Sequence, residues 1–335
     1  MKKTLFAIFA AASLLACSKS QVIETLTPEA IAFDNAFVDN ATKAVDNSTI
    51  TKTTLGSFNV WATTKGNETD ATIVPILAEV TVSTSDNGTT WSYPEAYTQY
   101  WIAGNSYVFA AVKNYNSVAL AAGVPATIVY DATNQLDLLY AAETRTGLAN
   151  NNPAVAFTFE HLLSKAHFTV KNTMDASNNN YSYRVSNVAI NNAAKEATYT
   201  VAGGSWGTAS KVYTNESPLA FGHVNAATAD ATDAVMIKAN ESYTSQYSRL
   251  LIPAVYSSTN KMNITCTIET LYGTSVVDVQ NYNKDVEFTF TKGNAYNFVL
   301  TLANPGEKIE FTVTKVNDWI TDLNNNQQAD DDIAL

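Results

Sequence analysis

Cysteine is almost missing from this 335-residue chain: Cys17 and Cys266 are its two. A disulfide-stapled small scaffold needs several pairs and is excluded. Charge is scarce as well. Asp, Glu, Lys and Arg make up 15% of the residues, and acids outnumber bases to give a net charge of −11. Nucleic-acid binding needs basic patches that displace counterions, so that partner class is excluded. Beyond the first ~16 residues no apolar run approaches the ~18 that a membrane helix needs. Histidine is limited to His161, His167 and His223, with no HExxH spacing. No glycine-flanked serine forms a nucleophile elbow, and no Walker loop or dinucleotide fingerprint occurs. No segment sustains an i, i+3, i+4 stripe, so long amphipathic helices are not expected. The chain therefore reads as a non-enzyme without a metal site or a bound cofactor.

What is present begins at the N-terminus. Met1-Lys2-Lys3 is a short positive start, and Leu5 to Ala16 is an apolar run broken only by Ser13. At 1.5 Å per residue this run spans about 18 Å, short of the ~30 Å hydrocarbon core, so it reads as a signal peptide. It ends in Leu14-Leu15-Ala16-Cys17, which resembles a bacterial lipobox. Cleavage before Cys17 and a covalent lipid on its thiol are expected, with that lipid the only prosthetic group and the only membrane attachment. The expected location is the outer membrane for the precursor and the cell surface for the mature form.

The remainder reads as β almost throughout. Short alternating runs rich in Val, Ile, Thr, Phe and Tyr are separated by turn signals such as Asp86-Asn87-Gly88 and Lys292-Gly293-Asn294. Strands are expected at 58–62, 78–84, 107–112, 155–159, 166–171, 184–190, 262–270, 287–291, 295–302 and 308–316. Residues 117–122 suggest a short helical turn, and 136–142 is ambiguous. Met262, Ile264, Cys266 and Ile268 share one parity, which makes Cys266 a buried structural thiol. Val155, Phe157 and Phe159 are apolar at odd positions, whereas Leu162, Ala166, Phe168 and Val170 are apolar at even ones. This flip predicts a bulge or a change of sheet near Leu162-Leu163. At roughly 100 residues per sandwich, two are expected, joined between Glu143 and Asn180.

Several motifs occur in a fixed order. They are Ile31-Ala32-Phe33-Asp34-Asn35-Ala36-Phe37, Trp91-Ser92-Tyr93 followed by Tyr100-Trp101, Asp137-Leu138-Leu139-Tyr140-Ala141, Phe157-Thr158-Phe159-Glu160-His161-Leu162-Leu163-Ser164-Lys165-Ala166, Arg249-Leu250-Leu251-Ile252-Pro253, and Gly293-Asn294-Ala295-Tyr296-Asn297-Phe298 with a terminal Trp319. Together they resemble the Bacteroidetes fimbrillin family, the Mfa-like subunits of type V pili. The resemblance implies an all-β chain of two tandem transthyretin-like, Greek-key β-sandwich domains. The divisions expected from it are a signal peptide over 1–16, a lipidated leader over 17–43, a first sandwich over 44–152 and a second over 153–335. It implies assembly with other pilin subunits into a self-polymer, with anchor and tip subunits, in support of adhesion to host or bacterial surface ligands. Ile31, Phe33 and Phe37 would form a leader strand removed by a protease cutting between Lys43 and Ala44. Lys43 stands where many members have arginine, which implies a Lys-accepting protease. The strand donated to a neighbour would come from the C-terminal region, where Ile309, Phe311 and Val313 repeat the alternation.

A second class stays open. Trp91, Tyr93, Tyr97, Tyr100 and Trp101 could stack on sugar rings, which would make the chain a monomeric glycan-binding lipoprotein; the competing reading is a half-buried aromatic strand pair. His161 and His167 are expected to pack or to face solvent. Asp322, Asn324, Asn326 and Asp330 to Asp332 supply oxygen ligands, but Gln327 stands where a calcium loop wants glycine and no glutamate closes the ring, so a solvated acidic tail is expected.

Overall fold

In the computed structural model the described residues are 28–34, 36–38, 53–66, 72–178, 180–225, 234–316 and 332–334. Among them helix is confined to single 3-10 turns at Glu95–Tyr97, Ala132–Asn134 and Ala176–Asn178. The chain is all-β. The alternating sequences give alternating burial where one face is wet: the strand Met262–Tyr272 turns Met262, Ile264, Cys266 and Ile268 inward. There burial pushes the Cys266 thiol up to about 12, which keeps it protonated and inert.

The first sheet has six strands in the spatial order Phe37–Val38, Thr158–His161, Leu139–Thr146, Ser106–Lys113, Ser57–Lys65, Ile73–Ser83. One face carries Phe58, Val60, Phe109, Ala111, Phe157 and Phe159 into a core shared with Ile31, Phe33, Trp91 and Trp101. The opposite face carries Trp61 and Val112 against Ile128 and Tyr130 of the strand Val124–Asp131. The second core lies between two further sheets. Ser164–Asn172 runs parallel to Ala295–Leu302, which pairs in turn with Glu310–Val316 and contributes Phe168, Phe298 and Phe311. Tyr181–Asn191 and Met262–Tyr272 pair antiparallel and contribute Val185, Ile190, Ile264 and Ile268.

The structure moves two expectations and resolves a third. The division expected between residues 152 and 153 falls inside the first core, because Val155, Phe157 and Phe159 are fully buried there. The chain leaves the first sheet at His161 and enters the next at Ser164, so the parity flip is a change of sheet at Leu162-Leu163. The halves also interlock: Val124–Asp131 pairs with Ala194–Thr200, with Ala197 opposite Tyr130 and Tyr199 opposite Ile128. Finally, residues 117–121 form a strand rather than a helical turn, paired with Val124–Asp131. The intervening Ala122-Gly123 takes φ of 50° and 82°, a left-handed pair that turns one strand back on the next. A Cβ on Gly123 would sit 2.5 Å from Thr63 Cγ2, so glycine is required for approach as well as for φ.

One side chain fastens the halves. Gln135 ends the Ala132–Asn134 turn in the left-handed region at φ 51°. Its Oε1 accepts from Leu250 N at 2.7 Å, and its Nε2 donates to Leu250 O at 3.2 Å and to Ala132 O at 3.0 Å. The amide thus substitutes for a strand partner at Leu250. Gln135→Ala should cost roughly 1–2 kcal/mol, because it leaves a buried backbone donor unmet; a urea midpoint unchanged by the substitution would refute this role.

Candidate functional site

Residues 28–34 and 36–38 bridge two flanks of the first core, Gln99–Trp101 on one side and Val155–Phe159 on the other. Ile31 N donates to Gln99 O at 2.8 Å and Trp101 N to Glu29 O at 2.9 Å, an antiparallel link on one side. Val155 N donates to Ala32 O at 2.8 Å and Asp34 N to Val155 O at 3.1 Å, a parallel link on the other. After Asn35 the chain resumes as Phe37–Val38, parallel to Thr158 and Phe159 at the edge of the six-stranded sheet.

Side chains deepen the attachment. Ile31, Phe33 and Ala36 are buried. The Phe33 ring lies 5.8 Å from Phe157, stacked, and 5.5 Å and 6.2 Å from Tyr93 and Phe109, edge-on. Tyr93 OH donates to Ile31 O at 2.7 Å. Glu29 Oε2 accepts from both Asn152 Nδ2 and Asn152 N at 2.8 Å, and these bonds hold the Glu29 carboxyl below its ordinary value. Among the described residues, inward positions run 31, 33, then 36, so parity reverses between Phe33 and Ala36. Ile31 and Phe33 are anchors as the alternation implies, Phe37 contributes a backbone pairing, and Ala36 is an anchor that alternation alone does not mark.

The other proposed positions divide. Cys17, Lys43 and Ala44 lie outside the described residues. The C-terminal trio is not a loose arm: Phe311 and Val313 are buried and Ile309 is partly buried, all against the second core. Phe311 stacks on Phe298 at 5.9 Å, and Val313 pairs with Phe298 in register. Asp332–Ala334 adds one more strand outside Glu310–Val316. Of the aromatic group, Trp91 and Trp101 are buried at 8% exposure, whereas Tyr97 and Tyr100 are about half exposed at 52% and 51%. The sugar-stacking platform is thereby reduced to two tyrosines.

The histidines do not converge on a reactive site. His161 Nδ1 lies 2.8 Å from Asp137 Oδ2, both side chains buried, so the Asp137–Ala141 and Phe157–Ala166 motifs meet through this pair. His167 is buried on the central strand Ser164–Asn172, where burial and then the Lys165 charge lower it to about 3. Among the described residues no group of His, Cys, Asp and Glu could hold a metal ion.

The fimbrillin-like family profile matches residues 42–319 of the chain. Among solved structures, a fimbrial protein from Bacteroides vulgatus is 16% identical, with a TM-score of 0.60, and the match covers 86% of this chain and 99% of that one. A candidate cell adhesion protein from Bacteroides ovatus is 20% identical, with a TM-score of 0.50, covering 88% of this chain and 99% of that one. At these identities the likeness is one of fold. No curated protein matches the chain.

Proposed function

Because this chain belongs to the fimbrillin-like family, we propose that it is a structural subunit of a cell-surface fimbria, supporting adhesion and assembled by strand exchange after proteolysis. The observation that carries the proposal is the seating of residues 28–38. They are held from both sides at a sheet edge, yet they precede the candidate cut between Lys43 and Ala44. Their loss would leave Gln99 O, Trp101 N and both backbone groups of Val155 without those partners. It would also open the pocket that Phe33 fills among Tyr93, Phe109 and Phe157. An open edge with unpaired backbone and apolar pockets is strongly association-prone, and an incoming strand can satisfy both features.

Burial of Phe311 and Val313 narrows the donor. Withdrawing Glu310–Val316 would strip the second core of both side chains, at about 3–5 kcal/mol for a phenylalanine alone. The outer strand Asp332–Ala334, paired outside Glu310–Val316, can leave without taking Phe311 or Val313 with it. The donor in this proposal is therefore residues 317–335.

Three versions of the chain test it. A chain beginning at Ala44 should form SDS-resistant ladders, and a Lys43→Gln chain exposed to a trypsin-like protease should form few. An Ala44 chain also lacking residues 317–335 should stay monomeric. Ladders from that last version would rule out the donor, and monomers from the first would rule out strand exchange.

The precursor is proposed to be lipidated on Cys17, held at the outer membrane by that lipid until the leader is cut. Acylation requires the thiol, so Cys17→Ser should yield an unprocessed or mislocalised product without acyl label. Normal acyl labelling of that variant would overturn the assignment.

A further inference from the structure

Ser275–Val286 is a strand of 12 residues at the end of its sheet. It pairs along its length with Met262–Tyr272 on one side and, among the described residues, with no strand on the other. At ~3.4 Å per residue that open edge is about 40 Å long. Residues 275–281 are exposed on both faces, and Val276, Val277 and Val279 are exposed at 42%, 56% and 55%. An edge of this length with apolar side chains is a template for another strand.

Other edges of the molecule carry guards against such pairing. Ile73–Ser83, at the end of the first sheet, includes Pro75, which has no N–H, and Glu79 at φ 57°, with two register shifts against its neighbour. Ser117–Ala121 is five residues long and shifts register between Ala119 and Leu120. Leu219–Gly222 has four residues and ends in Gly222 at φ 80°. Ser275–Val286 has no proline and no residue at positive φ, and its one register shift lies at the turn end, opposite Thr270 and Leu271.

We propose that this edge is an interface between two copies of the chain, the two strands pairing antiparallel across a two-fold axis at Asn281 into one continuous sheet. Faces match across the seam only when paired residues share parity. Two such registers use nearly the whole strand, one centred on Gln280 and one on Asn281. The first sets Asp278 against Tyr282 and Lys284 against Val276. The second sets Asp278 against Lys284, and the two-fold makes that pair twice. Asp278 and Lys284 stand on one face of the sheet, opposite Thr270 and Ile264 of the neighbouring strand. Residues directly opposite in an antiparallel pair have Cβ atoms about 4.5–5.5 Å apart, where opposite charges attract and like charges repel. Charge therefore selects the register centred on Asn281. The strand belongs to a different sheet from the leader groove, so the inference does not depend on strand exchange.

Sedimentation equilibrium on the unlipidated chain with its leader intact tests it, because the occupied groove keeps strand exchange out of the measurement. A monomer–dimer equilibrium is expected with Kd of about 1–100 µM, as suits an interface at the small end of the range. Asp278→Lys and Lys284→Glu should each weaken the dimer roughly tenfold or more, since one substitution sets like charges together at both ends of the two-fold. Mixed in equal amounts, the two variants should dimerise with each other about as tightly as the wild-type chain, because each supplies the charge the other now needs. That recovery also separates loss of the interface from loss of the fold. A chain still monomeric at roughly 500 µM, dimers indifferent to both reversals, or variants that stay monomeric on mixing would each overturn the proposal.

Discussion

Phe33→Ala should destabilise the attachment of the leader by about 3–5 kcal/mol, the range for a phenylalanine removed from a packed core. The ring is buried at 4% exposure and meets three aromatic neighbours, so little of its contact can be recovered by collapse. The backbone attachment around it is short, two links to Gln99 and Trp101 and two to Val155, each net about 1 kcal/mol. The single aromatic anchor is therefore worth about as much as the whole ladder. When it goes, the cheapest response is for residues 28–38 to detach locally while the rest of the sandwich stays folded. This makes the expected result sharper than a lowered midpoint. An uncut Phe33→Ala chain should open the groove without proteolysis, show faster hydrogen exchange at Val155 and Trp101, and form ladders that the wild-type precursor does not. Ala32→Ser, on the exposed face of the same segment, should change stability by under about 0.5 kcal/mol. Unaltered exchange at Val155 and Trp101 in Phe33→Ala would mean that the leader is a passive tether, and strand exchange would lose its trigger.

The same segment shows how far alternation can be read. Ile31 and Phe33 are legible as inward positions because a strand has period two. Ala36 is not, because one irregular residue reverses parity and only the register against Thr158 and Phe159 fixes the reversal. The flip at Leu162-Leu163 is legible for the same reason, as both flanking runs are strongly apolar. What alternation cannot supply is pairing between distant strands. Neither Val124–Asp131 nor Ala194–Thr200 is among the strands expected from the sequence, and nothing local announces that the two lie side by side. The Gln135 clamp is equally silent: a glutamine in a polar loop carries no mark of its left-handed φ or of Leu250, far along the chain. Trp91 and Trp101 look like Tyr97 and Tyr100 in sequence, and only the sheet they pack against separates buried from exposed.

The central strand Ser164–Asn172 gives the second large effect, because it is buried on both faces. Even positions Ala166, Phe168 and Val170 enter the core, while Lys165, His167 and Thr169 are buried on the reverse face. Burial, reinforced by the Lys165 charge, lowers His167 from the ordinary 6.5 to about 3. The native state thus holds this imidazole neutral at pH values where the unfolded chain protonates it. The unfolded state then binds more protons, so stability rises with pH and is lost as pH falls through 6.5 toward 3. At 1.36 kcal/mol per unit, the loss between pH 6.5 and pH 4.5 is on the order of 2–3 kcal/mol. The carboxyls held low by hydrogen bonds, Asp86 at about 2 among them, act in a different window. Their stabilisation is present above their unfolded value near 4 and fades only below it, so they leave the interval above pH 4.5 to histidine. Urea midpoints of the wild-type chain should therefore fall from pH 7 to pH 4.5, and His167→Gln should flatten that slope by about one proton whatever its own stability at pH 7. A slope that survives the substitution would assign the proton uptake to another group.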